Sequence, residues 1–172
     1  MSNIQNNAHP GDEVVEAVRN AIEFRGTWMG LIFDEMRKAG VDAEAITRRA
    51  IKRCGREMHG PIVIKAAEGR EVNGEDIYTF SFREQMRKVF EMDPVTFDED
   101  NANAYLHYCP LVTAWQKMGF SDEDIALLCD ITMDGDRGVA EACGFNLHLG
   151  CTIGSGCSDK CNIHFYRGEL KE

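Results

Sequence analysis

Hydrophobic positions recur with a helical period through the first third of the chain and with a strand period near its end. From Asp12, apolar residues fall at Val14, Val15, Val18, Ile22, Met29, Ile32, Phe33 and Met36. They share one helical phase, despite Gly26 and Gly30, that stops at Ala39-Gly40, where glycine suits the residue just past a helix end. Asp42 N-caps a second predicted helix with the stripe Ala43, Ile46, Ala50, Ile51, Cys54 and Met58, ending before Gly60-Pro61. The two read as an antiparallel helical hairpin, a packing element. Residues 62–75 have no clear period, since Ile62-Val63-Ile64 suits a continued helix or a strand. Ser81 and Glu84 have the spacing of a capping box, opening a helix to about Glu91 that Asp93-Pro94 stops.

After Pro94 the period changes. Residues 95–99 and 103–108 alternate and carry β-formers around an Asp/Asn-rich turn, which predicts a hairpin. Pro110 suits a first helical position and puts Cys109 at the N-cap of a helix over 111–118. Gly119 ends it, and Ser121 caps the next, which carries Asp122, Glu123 and Asp124 in its first turn and runs to about Met133. Asp134-Gly135-Asp136 reads as a turn before a short helix to Ala142, with Gly144 closing it. Residues 146–151 and 162–167 are two final strands. The expected fold is α+β: an N-terminal helical hairpin plus a roughly four-stranded, mostly antiparallel sheet covered by helices. Residues 1–11 read as a disordered lead-in and 12–172 as a single α+β domain.

Charge and composition narrow the function. A chain of 172 residues with a formal charge of −10 lacks the basic face that nucleic acid requires, and it is disfavoured at an anionic membrane surface. No run approaches the roughly 18 apolar residues of a membrane span, and the polar start has no signal-peptide core. These features point to the cytoplasm, where seven cysteines are expected as thiols or metal ligands rather than as a disulfide framework.

Three of those cysteines and a histidine lie in the tail, as Cys157-x₃-Cys161-x₂-His164 after Cys151. The spacing is near that of a metal site without matching a standard zinc pattern. Strand alternation would send Cys161 and His164 to opposite faces. Cys151 and Cys157 can meet across the Gly154/Gly156 turn, as ligands or as a redox pair. Upstream, Cys109 at a helix N-terminus is expected to have a lowered pKa, and His107 two residues before it would share its face if the strand persists. Cys54, Cys129 and Cys143 sit on apolar stripes and read as packing residues.

Four blocks carry a resemblance: Tyr108-Cys109-Pro110-Leu111, Leu127-Leu128-Cys129-Asp130, Gly135-Asp136, and Thr152-Ile153 with Gly156 leading to Cys161-Asn162-Ile163-His164-Phe165. Together they resemble the L-2-amino-thiazoline-4-carboxylic acid hydrolase family, whose Cys-Asp-Phe block reads Cys161-Asn162-Ile163 here. The resemblance implies hydrolytic opening of a small cyclic amidine to an N-carbamoyl amino acid. The residues it singles out for catalysis are Cys109, Cys161, His164 and Asp136: Cys109 or Cys161 as nucleophile or ligand, His164 or His107 as base, Asp136 or Asp130 on the amidinium. His107, Asp130 and Arg137 would bind substrate, with Arg137 on its carboxylate. Two other readings compete: a zinc, iron or iron–sulfur protein ligated by Cys109, Cys157 and Cys161, and a non-catalytic small-molecule sensor on the same fold. A small molecule is the expected partner, and a homo-oligomer is left open.

Overall fold

The Asp12 carboxylate accepts a hydrogen bond from the Val15 amide at 2.9 Å and so starts the first helix where the sequence places it. The computed structural model describes residues 3–170. The elements run α1 (Glu13–Lys38), α2 (Ala43–Arg53), a π-helical turn (Cys54–His59), α3 (Gly60–Ala66), α4 (Gly74–Ser81), α5 (Glu84–Phe90), β1 (Met92–Phe97) and β2 (Asn101–Leu106). They continue with α6 (Pro110–Lys117), α7 (Asp122–Thr132), α8 (Asp134–Cys143), β3 (Asn146–Leu149), a 3-10 turn (Ile153–Ser155) and β4 (Cys161–Tyr166). The four strands form one antiparallel sheet of order β1-β2-β4-β3, with helices packed on it: the α+β fold expected.

The core face of α1 consists of Val15, Arg19, Ile22, Gly26, Gly30 and Phe33. Its glycines are contact points rather than defects. A Cβ at Gly26 would lie 3.1 Å from Leu111 and Ala114, and one at Gly30 would lie 2.9 Å from Phe120. Trp115, wholly buried in α6, donates its indole N–H to the Gly26 carbonyl at 3.0 Å. Val14 and Ile32, expected on this face, point outward instead.

The second helix does not end before Gly60-Pro61. It passes through the π-turn, where the Gly60 amide bonds the Gly55 carbonyl five residues back, and continues as α3. Pro61 lacks the N–H that a regular turn would use, and its ring would crowd the carbonyl four residues earlier; the wider turn relieves both. A Cβ at Gly55 would overlap the Gly135 carbonyl, and one at Gly138 would overlap the Lys52 carbonyl, so this segment and α8 touch backbone to backbone.

The capping box falls elsewhere too. Asn73 and Asp76 cap α4 reciprocally, at 3.1 and 2.9 Å, whereas Ser81 is the last residue of α4 and α5 has no side-chain cap. β1 begins three residues earlier than expected, with a bulge between Met92 and Val95 that contains the cis Asp93-Pro94 bond. The expected turn at Asp134 is instead the start of α8.

Of the lead-in expected over residues 1–11, residues 1 and 2 lie outside the described residues, and residues 3–11 form no helix or strand but lie against the fold. Ile4 is buried in the core and Gln116 donates to its carbonyl at 3.0 Å. Asn6 accepts from the Cys109 amide at 2.8 Å and donates to the Cys109 carbonyl at 2.9 Å. The sheet has two unlike faces. Ala102, Ala104 and Leu106 of β2 and Cys161, Ile163 and Phe165 of β4 face the core, while Asn103, Asn162, His148 and His164 line the other side.

Candidate active site

Three thiols from three elements converge beneath the 3-10 turn. Cys109 stands at the N-cap of α6, Cys129 is buried in α7, and Cys161 opens β4 on its core face. The turn is pressed onto them. The Ile153 amide donates to Cys161 Sγ at 3.2 Å, and a Cβ at Gly154 would lie 2.8 Å from Cys129 Sγ. Only glycine fits that approach.

The expected activation of Cys109 is reversed. The Leu111 and Val112 amides of the helix N-terminus favour its thiolate, yet desolvation is larger, and with the nearby Cys129 it pushes Cys109 up to about 12. Burial, Cys129 and Cys109 likewise raise Cys161, against the donation from Ile153, and burial raises Cys129. At neutral pH these are hydrogen-carrying thiols, suited to donate rather than to attack.

Asp136 has the same character. It sits half-buried in the first turn of α8, and desolvation pushes its carboxyl up to about 6, against the pull of Arg137 and Arg25. Arg25 exerts its field on both Cys109 and Asp136, and no carboxylate among the described residues forms a salt bridge with it. It lies on the exposed flank of α1 next to Gly26, where α1 and α6 approach closely. Nothing in the sequence singles Arg25 out, because on a helical wheel it reads as a solvated charge. Cys129 was legible as buried, but not as a member of a cluster.

The remaining candidates go elsewhere. Arg137 bonds Asp130 at 2.6 Å and Asp134 at 2.8 Å, and Arg48 bonds the same two carboxylates at 2.7 and 3.1 Å. Arg137 and Asp130 are thus brought together, but with each other. Strand β2 ends at Leu106, so alternation does not reach Cys109; His107 is exposed and donates to the Asp93 carbonyl at 2.8 Å. His164 faces away from Cys161, donating to Asn101 at 3.0 Å, and burial followed by the neighbouring His148 lowers its pKa. Cys157 is disulfide-bonded to Cys151, the redox-pair alternative. Among the described residues no three His, Cys, Asp or Glu side chains are arranged to hold a metal ion, so the expected ligand set Cys109, Cys157 and Cys161 does not assemble. Cys54, expected in the core, is exposed, whereas Cys143 is buried. No helix among the described residues is long and apolar enough to cross a membrane.

A family model described as L-2-amino-thiazoline-4-carboxylic acid hydrolase matches residues 19–165, from the second turn of α1 to the penultimate residue of β4. No curated protein and no solved structure matches the chain.

Proposed function

From the premise that the chain belongs to the L-2-amino-thiazoline-4-carboxylic acid hydrolase family, we propose that its thiol cluster and Asp136 hydrolyse a 2-aminothiazoline ring bearing a carboxylate. Water adds to the ring carbon bonded to both nitrogens and sulfur. One water proton ends on the ring nitrogen and the other on the departing sulfur as the C–S bond breaks. Substrate plus water then equals an N-carbamoyl cysteine, with no redox change and no further reactant.

Asp136 is the base for that water and, once protonated, the acid for the sulfur. A carboxyl near 6 can do both at neutral pH, whereas an ordinary aspartate is too weak a base. The high pKa of Cys109 keeps its thiol protonated and able to donate toward the ring. Arg25 anchors the substrate carboxylate by a charge-assisted contact. His164 has no part in this, because it lies on the other face of β4 from Cys161. Asn162 supports the same view. It shares the outer face and donates to Asn103 at 2.7 Å, so a carboxylate at 162 would also point away from the thiols.

The observation that carries the reading is the raised carboxyl of Asp136 in the field of Arg25, which also reaches the thiol cluster at Cys109. The test is to incubate the protein with 2-aminothiazoline-4-carboxylate and titrate new thiol, confirming N-carbamoyl cysteine by mass. One thiol should appear per ring opened, and turnover should fall in Cys109→Ser and Cys161→Ser. No thiol from the wild type, or full activity in both variants, overturns it.

A further inference from the structure

The outer face of α1 carries more apolar surface than a solvated helix should. Val14, Phe24, Trp28, Leu31 and Ile32 are 60%, 61%, 59%, 52% and 56% exposed, with Ala17 and Ala21 exposed between them. The face packed on the core includes Gly26 and Gly30. Val15, Ile22 and Phe33 share that core face, so α1 is apolar on two sides, whereas an ordinary amphipathic helix is apolar on one. Positions 14, 17, 21, 24, 28 and 31 also step alternately by three and four, which is the spacing of helices that pair along one seam.

We propose that α1 pairs with α1 of a second copy of this chain, antiparallel about a two-fold axis. A seam of this kind is self-complementary, as a two-fold interface requires. The ends fix the direction: Glu13 and Glu16 occupy the first turn, and Arg37 and Lys38 the last. Antiparallel pairing sets each acidic end beside a basic one, whereas parallel pairing stacks like charges. Arg37 and Lys38 already hold Asp124, Asp34 and Glu35, so the charges select orientation more than they add affinity. Five large side chains leave on the order of 500 Å² uncovered per copy. Doubled, this reaches the roughly 1,000 Å² at which specific interfaces begin. An anionic bilayer is the poorer occupant, because the net charge is −10 and the seam's two flanks, Glu13, Asn20, Thr27 and Asp34 on one side and Val18, Arg25 and Ile32 on the other, hold one cation against two carboxylates. Pairing would also wall the open trough of 540 Å³ that runs along this face from Glu13 to Arg25.

Sedimentation or light scattering of the full chain tests this, with tryptophan quenching as a second readout. The expected mass is twice 19.3 kDa. Trp28→Glu and Phe24→Glu should each weaken self-association by roughly 30-fold or more with an unchanged circular dichroism spectrum. Trp115 is wholly buried, so acrylamide should quench Trp28 only on dilution to monomer. A 19.3 kDa species at every concentration overturns the proposal. So does a dimer insensitive to both variants, or association seen only with phospholipid vesicles.

Discussion

Cys129 and Asp130 are neighbours in α7, yet they belong to two clusters of opposite character. Cys129 turns toward Cys109, Cys161 and the 3-10 turn, whereas Asp130 turns toward Arg48 and Arg137. Helix α8 is divided too, with Asp136 unpaired in the fields of Arg137 and Arg25 and Asp134 bonded within the ion-pair group. In the ion-pair group every charge is met by its opposite. Burial acts against the Asp130 carboxylate, but hydrogen bonds from Arg137 and Arg48 hold its pKa below the ordinary range. Among the thiols and at Asp136 burial wins, and Asp136, Cys109 and Cys161 all stand above their ordinary values. Matched charges tie α2, α7 and α8 together. The thiols are protonated at neutral pH whether the chain is folded or not, so of the three only Asp136, ionised against burial, costs stability there, and a carboxyl so held marks a candidate catalytic group.

Replacing one residue from each cluster tests that contrast. The largest effect is expected for Asp136→Asn, a loss of about 10²- to 10⁴-fold in ring-opening rate. Its stability should move the other way. Asp136 keeps its proton in the fold up to about pH 6, while in the unfolded chain it ionises near 3.8. The folded state thus holds the extra proton between those values, and stability falls as pH rises through that window. The loss is on the order of 3 kcal/mol and is complete above pH 6. Thermal melts from pH 3 to 8 should show this slope in the wild type and lose it in Asp136→Asn, which should be the more stable protein at pH 8. A variant that is both inactive and less stable at pH 8 would place Asp136 with the matched charges.

Asp134→Ala should do the converse. Asp134 is 7% exposed and holds both Arg48 and Arg137, so its loss leaves two cations short of a partner. The expected cost is about 3 kcal/mol, or a Tm lower by roughly 10 °C. The rate per folded molecule should be unchanged. Arg25→Ala comes next in size. With the carboxylate anchor gone, KM should rise about 10- to 100-fold, with kcat changed far less. Steady-state kinetics separate the two, and a fall in kcat alone would move Arg25 from binding to chemistry.

Much of the fold was legible in the sequence because local rules set it. Asp12, Asp42 and Ser121 cap helices as their positions suggest, and Gly144 ends α8 in the left-handed region that glycine favours. What the sequence hid was tertiary. The π-turn before Pro61 lies where Gly55 and Gly138 let two backbones meet, a contact between residues far apart in the chain. The outward apolar stripe of α1 was merged with its core face, since periodicity shows a helix's stripes but not which one the protein covers. At the site, Cys109, Asp136 and Cys161 are recognisable from residue type and motif. Their electrostatics were not, because the helix N-terminus is a local feature, whereas the burial that overrides it comes from Asn6, α7 and the 3-10 turn together.

The smallest expected effect belongs to a residue the motif makes prominent. His164 follows Cys161 by three positions, and an odd spacing in a strand puts two side chains on opposite faces. The structure obeys that rule: Cys161 is buried, while His164 lies half-buried among Asn101, Asn103 and His148. His164→Ala should therefore leave the ring-opening rate within about twofold and cost about 1 kcal/mol, the worth of its hydrogen bond to Asn101. Its pKa is lowered, so the imidazole is neutral near pH 7 and its loss should leave the pH–rate profile to the Asp136 carboxyl. A profile that shifts in His164→Ala would show that the outer face of β4 communicates with the thiols across the sheet. The boundary between the two clusters would then not be the one that the strand's alternation draws.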